Sequence, residues 1–152
     1  MLRNISRKTK PKRKIVNDYK LQIAEFLVRT LAGILFLFQG YDKLFRIKMP
    51  GVIDSFTADA ERSHIPHAVL TLVAYFTSIV EFVGGIMLVF GICTTFALYA
   101  LGLDLLLVCL AFTFMKPMWD MKYVFPRFTL VITLLLMPED WRFFSLDSLM
   151  HS

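Results

Sequence analysis

The chain has 152 residues, of which 57% are apolar, with a mean hydropathy of +0.60 and a formal net charge of +5. This apolar share excludes disorder for the bulk of the chain, because disordered segments are poor in hydrophobic residues, and two cysteines are too few for a disulfide-stapled mini-domain. The charge distribution argues against a nucleic-acid partner, since residues 1–20 carry a net +7 and residues 21–152 a net −2.

Four apolar stretches follow the basic tail in chain order. They cover residues 24–45, 67–90, 95–114 and 121–137, and each is close to the ~17–25 residues that cross a bilayer core as a helix. A bundle in water would need a polar face on each helix, and these stretches have almost none. The sequence therefore predicts an all-α transmembrane four-helix bundle. Its membrane domain covers 21–138, between a cytoplasmic basic tail at 1–20 and a cytoplasmic interfacial tail at 139–152.

A short amphipathic segment lies between the first two stretches. Within residues 50–62, Val52, Phe56 and Ala60 fall on one helical face, and Asp54 and Glu61 fall on or near the other. This pattern is typical of a helix that lies on the surface of a bundle. We expect a short extracytoplasmic helix here.

The basic tail also predicts the orientation of the chain. Its eight Lys and Arg residues precede the first stretch, and such charge excess marks the cytoplasmic side of a membrane protein. Four spans then return the C-terminus to the cytoplasm. We expect a multi-pass protein of a bacterial inner membrane, with anionic lipid as a partner of the tail and no nucleic-acid partner.

Ionisable residues within the stretches are the candidate site. Glu81 and Asp104 are each nine residues from the ends of their stretches that face the connection at 91–94, roughly 13–14 Å deep at ~1.5 Å per residue. Arg127 lies at about the same depth, and Gln39 is a neutral companion. We expect a buried cluster of two acids and one base, whose carboxyl groups titrate as a coupled unit. It is either a structural tie between helices or a site for a proton or a polar head group.

Two further cations have simpler explanations. Arg29 lies about five residues inside the first stretch, and helical side chains tilt towards the N-terminus. We therefore expect Arg29 to snorkel to the membrane surface. Lys43, one turn beyond Gln39 on the same face, is expected to be an interfacial charge.

Metal and haem chemistry finds little support in the sequence. His64, His67 and His151 lie outside the stretches or at an edge, so no pair can hold a haem in the membrane. Met115, Met118 and Met121 recur every three residues, and thioethers suit Cu(I), but Met is also common filler at membrane edges. We expect no metal and no resident cofactor, with Cu(I) at these methionines and a bound quinone as the alternatives.

The sequences LVRTLAGILFLFQGYDKLF and EFVGGIMLVFG resemble the DoxX family of small four-helix membrane proteins. The matching positions are Arg29, Gly33, Gly40, Lys43, Glu81, Gly84, Gly85 and Gly91. The resemblance implies a four-helix membrane fold. It also implies partnership, because founding members are subunits of a thiosulfate:quinone oxidoreductase and other relatives accompany redox enzymes or assist receptor assembly.

The sequence leaves three functions open. The leading expectation is an accessory subunit of a bacterial inner-membrane redox or assembly complex, not an enzyme by itself, which associates with a larger membrane complex or with itself. The second is a quinone-reactive oxidoreductase subunit that uses the cluster of Glu81, Asp104, Arg127 and Gln39. The third is a small proton-coupled transporter or flippase.

Overall fold

Six helices account for most of the chain in the computed structural model, which describes residues 11–115 and 124–150, with side chains for 19–114 and 124–148. They are α1 (Pro11–Tyr41), α2 (Lys48–Arg62), α3 (His67–Phe90), α4 (Thr94–Met115), α5 (Val124–Leu136) and α6 (Leu146–Met150). A π-helical turn, Asp42–Arg46, follows α1, and a 3-10 turn, Glu139–Trp141, follows α5. The described residues contain no strand, which confirms the all-α prediction.

Three of these helices are long and apolar enough to cross a membrane. The segments Tyr19–Arg46, His67–Phe90 and Thr94–Phe114 have mean hydropathies of 1.8, 2.0 and 2.1. In its described part, α5 is a shorter apolar helix of 13 residues, and the residues just before it, 116–123, lie outside the described part of the chain. The predicted amphipathic helix is present as α2, whose buried residues are Met49, Val52 and Ala60.

The four apolar helices surround a common core. α1 packs on α3, α3 on α4, α4 on α5, and α5 returns to α1, which is the arrangement of a four-helix bundle. The core is made of aliphatic residues and one phenylalanine: Ala32, Phe36, Leu88, Ala97, Leu98, Leu101, Leu105, Val124, Val131 and Leu134. α2 lies across one end of the bundle, against α3 and α4. We refer to this end as the α2 end and to the opposite end as the turn end.

Glycines allow α1 and α3 to approach closely. A Cβ at Gly40 would overlap the backbone of Phe82, and one at Gly85 would overlap the backbone of Leu37. Gly33 meets Val89 in the same way. Small residues are what let helix backbones come into contact within a membrane, so these glycines set the α1–α3 distance.

At the turn end, α3 stops at a left-handed residue. Gly91 has φ +66°, a conformation that costs glycine little. The amide of Ile92 donates to Met87 O at 2.9 Å and that of Gly91 to Leu88 O at 3.3 Å, which is the hydrogen-bond pattern of a Schellman cap. The chain is thereby reversed within a few residues, and α4 begins at Thr94.

Candidate functional site: a polar cavity inside the bundle

Glu81 is the centre of the polar cluster in the bundle. Its side chain is 1% exposed. The amide Nε2 of Gln39 donates to Oε1 at 2.8 Å, and the ammonium Nζ of Lys43 donates to Oε2 at 2.6 Å. Both carboxylate oxygens therefore have a donor from α1 or the π-helical turn that follows it, which joins the first and second membrane helices through a buried ion pair.

The π-helical turn places Lys43 within reach of Glu81. In this turn the amide of Ile47 donates to Asp42 O at 2.7 Å, five residues back instead of four, so the residues are rotated relative to a regular helix. Such turns are frequent at functional sites. The Lys43 side chain is 21% exposed, and its ammonium group points to the buried carboxylate of Glu81.

Asp104 lies beside this ion pair, and its surroundings differ from those of Glu81. It is 0% exposed, and it is close enough to Glu81 and Lys43 to interact with both electrostatically. Neither of its carboxylate oxygens has a hydrogen-bond partner among the described residues. Within the described part of the chain, Asp104 thus lacks the hydrogen-bond partners that buried acids normally have.

A cavity of about 290 Å³ opens next to the cluster, towards the α2 end. Gln39, Lys43, Thr77, Glu81 and Arg127 supply its polar wall. The rest of the lining is apolar. Val52 and Phe56 of α2 close the cavity on one side. The other apolar lining residues come from α3, α4 and α5: Leu70, Val73, Ala74, Leu105, Val108, Ala111, Phe112 and Val124. A mostly apolar cavity with a few convergent polar groups is the usual form of a small-molecule site.

Arg127 provides the cation on the α5 side of this cavity. It interacts electrostatically with Glu81, but with the described residues it forms neither a hydrogen bond nor an ion pair. A guanidinium group is a rigid fork of N–H donors. The arrangement can therefore offer these donors to an oxygen atom of a molecule in the cavity.

A second polar cluster fastens the turn end. Arg29 is 0% exposed; its Nε donates to Glu25 Oε1 at 2.9 Å, its Nη1 to Leu88 O at 2.8 Å and its Nη2 to Phe144 O at 2.6 Å. One guanidinium thus joins α1, the end of α3 and the C-terminal segment. The close packing of Gly91, where a Cβ would lie 2.8 Å from Arg29 Nη1, belongs to the same arrangement.

Asp147 caps the start of α4, although it follows Thr94 by 53 residues in the sequence. Its Oδ1 accepts from the amide of Cys93 at 2.7 Å and its Oδ2 from that of Thr94 at 2.8 Å, so a carboxylate lies at the positive end of the helix dipole. Burial acts to raise the pKa of Asp147, but these backbone hydrogen bonds and the charge of Arg142 outweigh it, and the pKa is lower than the usual value. Asp147 lies outside the membrane-spanning helices.

The predicted site residues lie together in the bundle, but each of them has different neighbours. Gln39 is in contact with Glu81, Asp104 is an electrostatic neighbour, and Arg127 lies on the cavity wall. The expectation that Lys43 is an interfacial charge is wrong, because it pairs with Glu81. The cluster therefore contains two acids and two bases, not two acids and one.

The prediction for Arg29 is also wrong, and its ion-pair partner Glu25 is not among the residues predicted from the sequence. Arg29 does not snorkel to the surface, since three acceptors hold it inside the protein. The sequence contained one signal for this arrangement, the spacing of four residues between Glu25 and Arg29, which places an acid and a base on one helical face. Met118 and Met121, and the side chain of Met115, lie outside the described residues.

The remaining family positions are in the α1–α3 and α3–α4 contacts. Gly33, Gly40 and Gly85 lie where α1 meets α3, and a Cβ at Gly84 would lie 2.9 Å from the side chain of Leu101 in α4. His64 and His67 are exposed near the α2 end. Among the described residues, no group of three or more His, Cys, Asp or Glu side chains is placed to hold a metal ion.

Fold and cavity together define a small helical membrane protein with a polar site enclosed between its helices. The family model of DoxX matches residues 24–116, and the chain belongs to the DoxX family. No curated protein and no solved structure matches the chain. Family membership confirms the prediction of a helical membrane protein, with three described helices of spanning length.

Proposed function

We propose that this chain is an accessory subunit of a bacterial inner-membrane redox or assembly complex and that its cavity holds the polar head of a membrane-soluble molecule. The observation that carries the proposal is the cavity itself. Polar groups from α1, the π-helical turn, α3 and α5 converge on a space of about 290 Å³ whose remaining lining is apolar. Such groups are costly within a membrane and are retained mainly for function.

The proposed orientation puts the turn end in the cytoplasm and α2 outside. It is supported by the net +7 of residues 1–20. In this orientation the basic tail meets the anionic lipids of the inner leaflet. The cavity then opens towards the outer half of the bilayer.

Purification from native membranes in mild detergent tests the proposal. We expect the wild-type protein to bring along a stable protein partner and one lipophilic compound, identified by mass spectrometry. The Arg127→Leu variant should keep the partner and lose the compound, because it removes the Arg127 donors from the cavity wall and leaves the contacts of Gln39 and Lys43 with Glu81 in place. Arg46→Leu is the matched control, since Arg46 lies near the same end but is 77% exposed. Recovery of free monomer alone, without partner or compound, would contradict the proposal.

A quinone-reactive subunit is the second candidate, and the environment of Glu81 favours it. Reduction of a quinone takes up protons together with electrons, and a carboxyl group beside the cavity is suited to general acid–base chemistry. In this function, Glu81 or Asp104 transfers the proton, and Arg127 or Gln39 holds a quinone oxygen.

Separate Glu81→Gln, Asp104→Asn and Arg127→Leu substitutions test the second candidate against a purely structural role of the cluster. Loss of electron transfer in an intact complex supports the quinone-reactive subunit. Loss of complex assembly alone supports a cluster whose only role is to hold the helices together. Electron-transfer rates and the composition of the purified complex are measured on the same membranes.

A further inference from the structure

A second hollow lies beside the polar cavity, between α3 and α4. This α3–α4 groove has a volume of about 350 Å³ and is lined by His64, Ile65, Pro66, Val69, Leu70, Val73, Leu107, Leu110, Ala111 and Phe114. Apart from His64, its lining is apolar. Val69, Leu110 and Phe114 are 50–65% exposed, so in a membrane the groove faces the hydrocarbon.

The groove and the polar cavity adjoin each other. Leu70, Val73 and Ala111 line both of them, and they form the boundary between a space that contains Lys43, Glu81 and Arg127 and a space open to lipid. Ala111 has a small side chain at this boundary. These side chains therefore lie between the polar groups of the cavity and the groove that faces the hydrocarbon.

The size of the cavity limits what it can hold. Small-molecule sites have volumes of about 300–1,000 Å³, and the ≈ 290 Å³ of the polar cavity lies at the lower end of this range, which suits a head group better than a head group together with a long chain. A membrane-soluble ligand has such a chain, which must leave the cavity. The α3–α4 groove, which adjoins the cavity and is lined by apolar residues apart from His64, offers the chain an apolar path.

We infer that the ligand of the polar cavity is a single-tailed amphiphile whose tail leaves between α3 and α4 past Leu70, Val73 and Ala111. Its head presents an oxygen acceptor to Arg127, as the carbonyl of a quinone or the carboxylate of a fatty acid does. This inference rests on the proposed function, because it takes the polar cavity as a ligand site. It adds the class of ligand and the route by which the ligand enters from the bilayer.

Blocking the groove without touching the cavity tests the route. Leu107 lines the groove and not the cavity, so Leu107→Trp fills the path of the tail. Leu103→Trp is the matched control, because Leu103 lies one turn away on the same helix, is 60% exposed and lines neither space. Ala111→Phe, at the boundary, is a second variant.

Binding is measured in lipid nanodiscs with two pairs of probes. One pair is a methylated benzoquinone without a tail and its decyl-chain derivative; the other is acetate and palmitate. Each probe is compared between variant and wild type, so its partition into the bilayer cancels. We expect Leu107→Trp to weaken the tailed member of the bound pair at least about tenfold, with the tailless member and the Leu103→Trp control unchanged.

The outcomes separate the route from the site. The pair that binds identifies the head group. Unchanged binding of the tailed probe in both Leu107→Trp and Ala111→Phe overturns the route and leaves the cavity as a ligand site. Equal loss of both members of the pair in Leu107→Trp also overturns it, since the effect then does not depend on the tail. If the wild-type protein binds no probe, the proposed ligand site fails, and the route fails with it.

Discussion

Glu81 and Asp104 lie in one cluster but should respond oppositely to substitution. Glu81→Leu leaves the Lys43 ammonium and the Gln39 amide without their acceptor, and breaking a buried ion pair in this way costs on the order of 3 kcal/mol. We expect a corresponding drop in the free energy of unfolding, measured by denaturant titration in detergent micelles.

For Asp104→Leu we expect a neutral or stabilising effect. Its two oxygens have no hydrogen-bond partner among the described residues, so no hydrogen bond is lost when an apolar group of similar size replaces it. The same titration measures the effect. A loss of stability as large as that of Glu81→Leu would show that Asp104 has a structural partner.

Asp147 gives a pH dependence outside the membrane. Its pKa is lower in the folded state than the ordinary carboxyl value, because the amides of Cys93 and Thr94 hold the charged form. The contribution to stability is therefore complete at neutral pH and is lost as the pH falls below the ordinary carboxyl pKa, through the lower value of the folded state. Proteolysis of the C-terminal segment should accelerate over that acidic range.

The Asp147→Asn variant checks the origin of this pH effect. It removes the negative charge at the start of α4, and a favourable charge at a helix terminus is typically worth about 0.3–1 kcal/mol. We expect the variant to be cleaved faster at neutral pH and to show a flatter pH dependence. Equal pH profiles for the variant and the wild type would assign the effect to another group.

The α1–α3 contact predicts contrasting effects for two glycine substitutions. Glycine to alanine within a helix is favourable by about 1 kcal/mol when there is space. At Gly102 a Cβ would lie 3.6 Å from Val131, an ordinary contact, so Gly102→Ala should be neutral or stabilising. At Gly85 it would overlap the backbone of Leu37, and overpacking costs about 1–3 kcal/mol.

Denaturant titration of the two alanine variants in detergent measures this contrast. We expect Gly85→Ala to lower the free energy of unfolding and Gly102→Ala to leave it unchanged or raise it. Similar effects of the two substitutions would mean that α1 and α3 are not held at the distance that the glycines allow.

Helices were easier to predict from the sequence than contacts between them. Length and hydropathy are local properties, so the all-α class and the amphipathic α2 followed from them. The contact of Lys43 with Glu81 could not be predicted, because the π-helical turn that brings the two residues together leaves no mark in the hydrophobic pattern. The acceptors of Arg29 from Leu88 and Phe144 are backbone carbonyls, which every residue carries and no sequence pattern distinguishes.

At the scale of the whole molecule, chemical labelling of the two cysteines tests the proposed orientation. Cys93 is exposed in the turn between α3 and α4, whereas Cys109 is half-buried within α4. A membrane-impermeant maleimide should label the protein in inside-out vesicles and not in right-side-out vesicles, because the turn end is proposed to face the cytoplasm. Cys93→Ser should abolish the labelling, and Cys109→Ser should preserve it. Labelling of right-side-out vesicles through Cys93 would reverse the orientation.

The positions of the Arg29 partners along the chain bear on how the protein is made. Glu25 is one helical turn away, whereas Leu88 and Phe144 follow 59 and 115 residues later. While the first helix leaves the ribosome and enters the bilayer, its own carboxylate alone accompanies the guanidinium, and the two enter as a nearly neutral pair. The last acceptor is synthesised 115 residues after Arg29, when α1, α3, α4 and α5 have already been made. Closure of the turn end therefore follows synthesis of all four apolar helices, and a nascent chain truncated before Phe144 would insert without this contact.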